Sequence, residues 1–581
     1  MHLKTLVENE LVEDPSSVWL LRGHQTFAYS DGAASEIYLD GVFRTSKDLS
    51  SRSSELESHI KDWTSEYHLS RKRSQLLSGF TFDRNLSVLE VGCGCGAITR
   101  YLGENFDSVV SVEGSIARAR LARLRTKDLP SVSVICAPFQ EIRFSKKFDI
   151  IFVIGVFEYS ASFVKGEDPY EAALQYYADI LAPDGMIVLA IENQFGLKYL
   201  NGCHEDHLGI KFEGVEGYHG GQARVRTFGH GELVNRIGRH FGDVRSFYPY
   251  PDYKIPDAVL SAEFVGSGQA GELISQIPSR DYVRPYKPLW NEPATVLELA
   301  RNAMLEFFSN SFLIVAGRTQ IHGISFDQLA DLYSSGRTSK FLTRTRIVSE
   351  PGGAWQVLKK PTTGTSTVDG GFIQLVANDS SWIGGNSLLT RVMRRARSKN
   401  ISLDDVFEPC RAWLAFLVAN SHERDGVRML DGPFIDSIWP NAYFEQDKLK
   451  LADQEWKLAE SFPLNVLVIR AVFDFLARLE YSPTRNPALN GRAGRHVIEA
   501  VARSLGVNLS SEDFERFLAI ESRMQSIVTG ADERRFRLYC RWLLADRPSL
   551  RAFMANVQAL SRWKARAISL SSRIIGRLKS R

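Results

Sequence analysis

A chain of 581 residues is long enough for two to four domains with sizeable cores, and 44% hydrophobic with 24% charged residues is the ordinary balance of a globular protein. A formal net charge of +3 excludes a dedicated nucleic-acid binder, because no strong field gathers phosphates. No run of 18 apolar residues and no apolar stretch of signal-peptide length occur, so the expected location is the cytoplasm.

Residues 1–60 read as a polar lead-in ending in the serine-rich SKDLSSRSSELES, and IKDWTSEYHLSRKRSQLL follows as a helical segment. Between 86 and 191 apolar runs (VLEVG, SVVSVE, SVSVIC, FDIIFVIG, MIVLAIEN) alternate with helical patterns. This predicts an α/β fold, a parallel sheet with helices on both faces and ligands at the carboxyl ends of the strands. A loop-rich insertion (about 193–226) precedes VRSFYPYPD and DAVLSAEFV, the expected antiparallel pair closing the sheet. The domain is therefore expected over 61–275, with a linking helical region (276–335) centred on NEPATVLELARNAMLEFFSNSF. TRTRIVSEPGGAWQVLKKP reads as a hairpin turning on Pro351-Gly352-Gly353, and a mostly helical α+β domain is expected over 336–545. In 546–581, Trp563, Ala567, Leu570, Ile574 and Leu578 recur at helical spacing among basic residues. Such a helix suits either an anionic membrane surface or ordinary packing with a solvated basic face.

The most informative segment is NLSVLEVGCGCGAITRYLGENFDSVVSVEG. An apolar run containing Glu90 meets a turn with Gly92, Gly94 and Gly96, a helix follows, and the next apolar run ends on Glu113. Residues without Cβ let backbone approach a ligand, the helix offers free N–H groups, and an acid about 20 residues on suits both hydroxyls of a ribose. Cys93 and Cys95 lie inside this turn and read as small turn residues. Dinucleotide sites share a glycine turn of this kind. EVGCGCG with Glu113, however, resembles motif I of class I S-adenosylmethionine-dependent methyltransferases, which are Rossmann-like. That resemblance implies S-adenosylmethionine as cofactor, with Glu90, the three glycines, Glu113, Phe139 and Gln140 around it. The backbone N–H of Phe139 would meet the adenine, where an acid is usual near Pro138.

WTSEYHLSRKR, VIGVFEYS, IENQFGLKYLNGCHEDHLG and FYPYPDYKIP together resemble methyltransferases that modify O-antigen and other surface polysaccharides. The nearest family is the bifunctional methyltransferase/kinase of O-antigen chain termination. It implies a polysaccharide or lipid-linked oligosaccharide acceptor in lipopolysaccharide biosynthesis, glycosyltransferase partners, peripheral membrane contact through the C-terminal helix and no nucleic acid. A sugar hydroxyl must lose a proton during attack, which favours Glu205 or His207 as catalytic groups. A phosphate acceptor needs only cations, for which Arg224 and Arg226 are candidates. His204 and His207 also invite a metal reading, or that of loop histidines satisfied by carboxylates.

In FIDSIWPNAYFEQDKLKLADQEW, Asp436 precedes Asn441 by five residues and Asp453 follows by twelve. The spacing resembles the catalytic loop of protein-kinase-like and aminoglycoside-phosphotransferase-like folds, which implies ATP and Mg²⁺. Asp436 would orient the attacking hydroxyl, Asn441 and Asp453 would hold the metal, and Lys359, with Lys360 as competitor, would meet phosphate. Phe434 stands where histidine is common, and no partner glutamate for Lys359 is evident in the sequence. A degenerate pseudokinase is the alternative for this domain. A small-metabolite methyltransferase and a scaffold recruiting glycosyltransferases are the alternatives for the whole chain.

Overall fold

A computed structural model of the protein describes residues 3–23, 32–219, 224–284, 286–445, 448–479, 484–489 and 494–545. The alternating apolar runs form parallel strands β1 (Ser87–Val91), β2 (Ser108–Glu113), β3 (Val132–Cys136), β4 (Phe148–Ile154) and β5 (Leu181–Glu192). Such near-continuous apolar runs are what a strand covered on both faces requires. Alternate side chains supply two cores. Leu89, Val91, Ile151 and Val153 enter one; Val88, Ile150, Phe152 and Ile154 enter the other. Helices α1 (Ala97–Asn105) and α2 (Ile116–Arg125) follow the first two strands, and α3 (Pro169–Ile180) precedes β5. Asp168 caps α3 by accepting from the Tyr170 and Glu171 N–H groups at 3.0 and 3.2 Å.

The sheet continues through β6 (Asp243–Tyr250), β7 (Ala258–Ser261), β8 (Ser311–Gly317), β9 (Ala330–Tyr333), β10 (Thr343–Ser349) and β11 (Trp355–Pro361). The order is β3-β2-β1-β4-β5-β8-β6-β7-β9-β10-β11, with Trp19–Leu21 and Leu11–Glu13 outside β3 and Ser380–Ser381 outside β11. This corrects the expected sheet closure. Strand β8, whose first residues sequence reading gave to a linking helix, lies antiparallel between β5 and β6. The seven residues SFLIVAG are all buried, and a short apolar run gives no periodicity to separate strand from buried helix. Of DAVLSAEFV only the first part is a strand, and Ala262–Gly266 is helix. The parallel-sheet unit therefore needs residues well past 275.

The lead-in also contributes structure: Trp19–Leu21 pairs in parallel with β3, and a helix spans Ala33–Thr45. Beyond residue 336 the expected hairpin forms, with β10 against β11 and positive φ at Gly352 and Gly353. A separate core, around Trp413, Trp439 and Phe475, packs the helices Cys410–Ala419, Leu464–Arg478 and Ser511–Thr529. One sheet thus links the two units through the β7–β9 pairing. No helix among the described residues is long and apolar enough to cross a membrane. The basic amphipathic helix expected over 546–581 lies outside the described residues.

Candidate active site

The carboxyl ends of β1, β2 and β4 open into a cavity of about 350 Å³. The turn after β1 is pinned to β2, since the Gly92 and Cys93 N–H groups donate to the Val112 carbonyl at 2.8 and 3.0 Å. Gly96 has φ +82°, and a Cβ there would stand 2.8 Å from the Ala122 backbone of α2. Gly94 has φ +56°, and its N–H donates to Glu113 Oε2 at 2.8 Å. Ser115 N–H donates to Glu113 Oε1 at 3.0 Å. Each carboxylate oxygen carries two lone pairs, so Glu113, which lines the cavity, keeps capacity for two further donors such as vicinal hydroxyls. Glu90 sits beneath the turn, accepting from Ser111 Oγ at 2.8 Å. Burial pushes its carboxyl up to about 7.

Ala137, Pro138 and Phe139 line the same cavity. Tyr176 holds this turn by donating to the Phe139 carbonyl at 2.7 Å. Gln140 departs from its expected place. Its amide donates to the Phe163 carbonyl at 2.6 Å, tying two loops together, and it is not among the lining residues.

At the far end the lining carries both signs of charge. Glu158 and Asp206 stand there with His207, Lys254 and Arg73, beside Trp63, Tyr67 and Tyr253. His207 Nδ1 meets Glu205 Oε1 at 2.8 Å, and its Nε2 lies 3.7 Å from both Glu158 Oε1 and Glu192 Oε1. Burial alone would lower the imidazole pKa, but the carboxylates of Glu192, Glu158 and Glu205 push it well above the usual value. The surrounding carboxylates thus favour positive charge at this ring, which makes His207 poorly suited to be a base. Glu205 is corrected too: its carboxylate accepts from the His207 and Leu208 N–H groups at 2.8 and 2.6 Å as well as from the imidazole. It does not line the cavity and acts as a positioning residue for His207.

Lys198 pairs with Asp206 at 2.8 Å and Asp252 at 3.3 Å. Lys254 meets Asp206 at 2.5 Å and also contacts Glu192. Burial would raise the Asp206 carboxyl, but the two ammonium groups hold it well below the usual range. His204 points elsewhere, to Asp281 at 2.7 Å, so the two histidines do not share an ion. Arg226 pairs with Glu232 at 2.8 Å, and neither it nor Arg224 lines the cavity. Sequence reading missed Lys198 and Lys254 as partners of these acids; the segment around each was conspicuous, but pairing across it is a tertiary fact.

The second constellation also assembles. Lys359, on β11, is buried while Lys360 faces solvent. Lys359 Nζ contacts Asp453 and lies 2.8 Å from Glu455. Glu455 is the acidic partner that sequence reading did not find; it follows Asp453 by two residues and is also held by Arg337. Asn441 Nδ2 donates to the Asp436 carbonyl at 2.9 Å. Asp453 follows the strand Lys448–Leu451 and has φ +50°. Burial pushes the Asp436 carboxyl up to about 7 against the pull of Arg470, whose Nη1 lies 3.7 Å away.

Comparison with known proteins identifies the first unit. Residues 89–189 match the family described as Methyltransferase domain. The cyclopropane-fatty-acyl-phospholipid synthase of Escherichia coli is 30% identical over 105 residues, 18% of this chain and 25% of that protein. The malonyl-[acyl-carrier protein] O-methyltransferase of Priestia megaterium is 28% identical over 88 residues, 15% of this chain and 31% of that protein. The chain therefore spans about a quarter to a third of these relatives. The N-methyltransferase NodS of Bradyrhizobium japonicum, solved with S-adenosyl-L-homocysteine, aligns over 28% of this chain and 74% of its own at 20% identity and a TM-score of 0.19. Residues 89–189 thus match a methyltransferase domain, and the sheet that carries them has the Rossmann-like fold of class I methyltransferases.

Proposed function

We propose that the protein is an S-adenosylmethionine-dependent methyltransferase acting on a hydroxyl of a surface polysaccharide of the O-antigen type, or of its lipid-linked precursor. When bound, the cofactor supplies an electrophilic methyl group on a sulfonium. Glu113 accepts the ribose hydroxyls with its remaining lone pairs, and Gly94 and Gly96 keep the turn open for the methionyl part. Glu90 supports the turn through Ser111, and Phe139 closes the adenine side.

One observation carries the acceptor reading. The four segments behind the polysaccharide resemblance are far apart in sequence, yet each supplies residues to one cavity: Trp63 and Tyr67, Glu158 and Tyr159, Asp206 and His207, Tyr253 and Lys254. Aromatic rings interleaved with carboxylates suit a ligand with apolar faces and many hydroxyls. Arg224 and Arg226, the cations named for a phosphate acceptor, stand outside the lining, while the Glu158 carboxylate within it offers an acceptor for a hydroxyl proton. Glu158, at the cavity wall with burial raising its pKa, is suited to take the hydroxyl proton, and Glu205 holds His207 against it.

A second activity is favoured by the assembled Lys359, Asp436, Asn441, Asp453 and Glu455 cluster. In this reading the C-terminal unit is a phosphotransferase using ATP and Mg²⁺, with Asn441 and Asp453 toward the metal, Lys359 toward phosphate and Asp436 toward the attacking hydroxyl. The C-terminal 546–581 segment, in the same reading, brings the enzyme to the inner face of the cytoplasmic membrane beside glycosyltransferases.

Isothermal titration with S-adenosylmethionine tests the first part. Wild type should bind in the micromolar range and Gly94→Asp should not, whereas equal binding removes the cofactor assignment. ATP turnover compared between wild type and Asp453→Ala tests the second, and unchanged turnover clears Asp453 of any metal role.

A further inference from the structure

At the far end of the cavity an imidazole nitrogen faces two carboxylates without bonding to either. His207 Nε2 lies 3.7 Å from a carboxylate oxygen of Glu158 and 3.7 Å from one of Glu192. Both separations exceed a hydrogen bond. They are a few tenths of an ångström above the roughly 3.0–3.4 Å between neighbouring ligand atoms that each sit about 2.1 Å from one ion at octahedral to tetrahedral angles. One donor atom from each of Glu158, Glu192 and His207 falls within 4.8 Å of the others.

Two independent observations point to a ligand at this place. Glu158 Oε2 and Glu192 Oε2 are buried with no hydrogen-bond partner, although the two residues are 1% and 0% exposed. A buried carboxylate oxygen left unpaired is costly. His207 Nδ1, meanwhile, is engaged by Glu205 at 2.8 Å, the carboxylate–imidazole arrangement that orients a metal-ligating histidine from behind. Glu192 Oε1 is held by Lys254 and accepts from Tyr253 Oη at 3.3 Å, so the oxygen that Glu192 has to offer an ion is its unpartnered Oε2.

We propose that Glu158, Glu192 and His207 form a binding site for one divalent transition cation, Mn²⁺ or Zn²⁺, whose open positions face the cavity and take a hydroxyl of the acceptor. An imidazole with two carboxylates selects this class over Mg²⁺ and Ca²⁺, which prefer oxygen alone. The identity of the hydroxyl rests on the methyl-transfer reading above; the ion does not. Glu158 and His207 line the cavity, so a cation among these three groups is open to an incoming sugar.

The test is a titration of the full-length protein with MnCl₂, following free Mn²⁺ by electron paramagnetic resonance. Wild type and Asp453→Asn, the control for the second acidic cluster, should bind one Mn²⁺ at this site with the same affinity. Glu158→Gln, Glu192→Gln and His207→Gln should each weaken it at least tenfold. Glu205→Gln, which leaves all three ligands in place, should weaken it less than they do, and it supplies the readout if a ligand variant fails to fold by circular dichroism. Unchanged Mn²⁺ affinity in the folded variants, or no binding by wild type up to millimolar free Mn²⁺, overturns the proposal. S-adenosylmethionine titrations on the same samples separate the two readings: loss of cofactor binding by wild type would sink the methyl-transfer reading while leaving the ion site standing.

Discussion

Gly96→Ala is the sharpest probe of the glycine turn, because two costs add at a position that touches no acceptor residue. Gly96 has φ +82°, and an L-residue pays about 1–2 kcal/mol in the left-handed region. The new Cβ would also stand 2.8 Å from the Ala122 Cα, so the backbone of α2 has to move. Overpacking of that kind costs about 1–3 kcal/mol, for a total of about 2–5 kcal/mol. For a domain of this size each kcal/mol lowers the melting temperature by roughly 2–4 °C, so the transition should fall by on the order of 10 °C. Gly94→Ala is the matched comparison. A Cβ there meets Arg118 Nη2 at 2.8 Å, the far end of a flexible side chain that can swing away. It should cost only the strain of about 1–2 kcal/mol while narrowing the cavity. Differential scanning calorimetry with and without S-adenosylmethionine measures both. The reasoning is refuted if Gly96→Ala melts with wild type, or if Gly94→Ala is the less stable of the two.

Glu90→Gln should flatten the pH dependence of stability. The folded-state pKa is raised to about 7, so the stability this carboxyl contributes is present below about 4.5 and lost as pH rises through about 7. The shift corresponds to about 3 kcal/mol, and melting curves at about pH 5 and about pH 8 should converge in the variant; parallel curves for both proteins would contradict this. Lys359→Met should destabilise the C-terminal unit by about 3 kcal/mol in urea, the lower end for a broken buried pair, because Asp453 is 51% exposed and Arg337 still holds Glu455. Lys360→Met, on the exposed side of β11, should stay within about 0.5 kcal/mol of wild type, and equal losses would dissolve the distinction. Liposome flotation of the full chain and of a chain lacking residues 560–581 tests the basic tail on anionic vesicles; equal recovery ends the membrane reading.

Much of the site was legible from residue order because its parts are local. The turn from Gly92 to Gly96 and the acid at Glu113 belong to consecutive strands, and adjacent parallel strands bring their carboxyl ends together whatever else the chain does. Asp436 and Asn441, five residues apart, are likewise brought into contact by local chain geometry. What failed was placement across long separations. Strand β8 was hidden because an apolar run buried throughout carries no period, and its slot between β5 and β6 is set by pairing with residues more than 60 positions away. Gln140 was misplaced because its neighbour Phe139 does line the cavity, and only the backbone turn decides which of the two faces inward.

The roles of Glu205 and His207 show the division most clearly. Sequence proximity put an acid beside a histidine and suggested a base. Folding set Glu158 and Glu192 against the other face of the same ring, and three carboxylates around one imidazole favour positive charge on it or draw in a cation. The sequence by itself determined the parallel sheet and the glycine turn facing an acid at its centre, since both follow from short-range spacing. Only the tertiary structure decided the chemistry of the far end, because the charge on a buried group depends on neighbours that arrive from other strands.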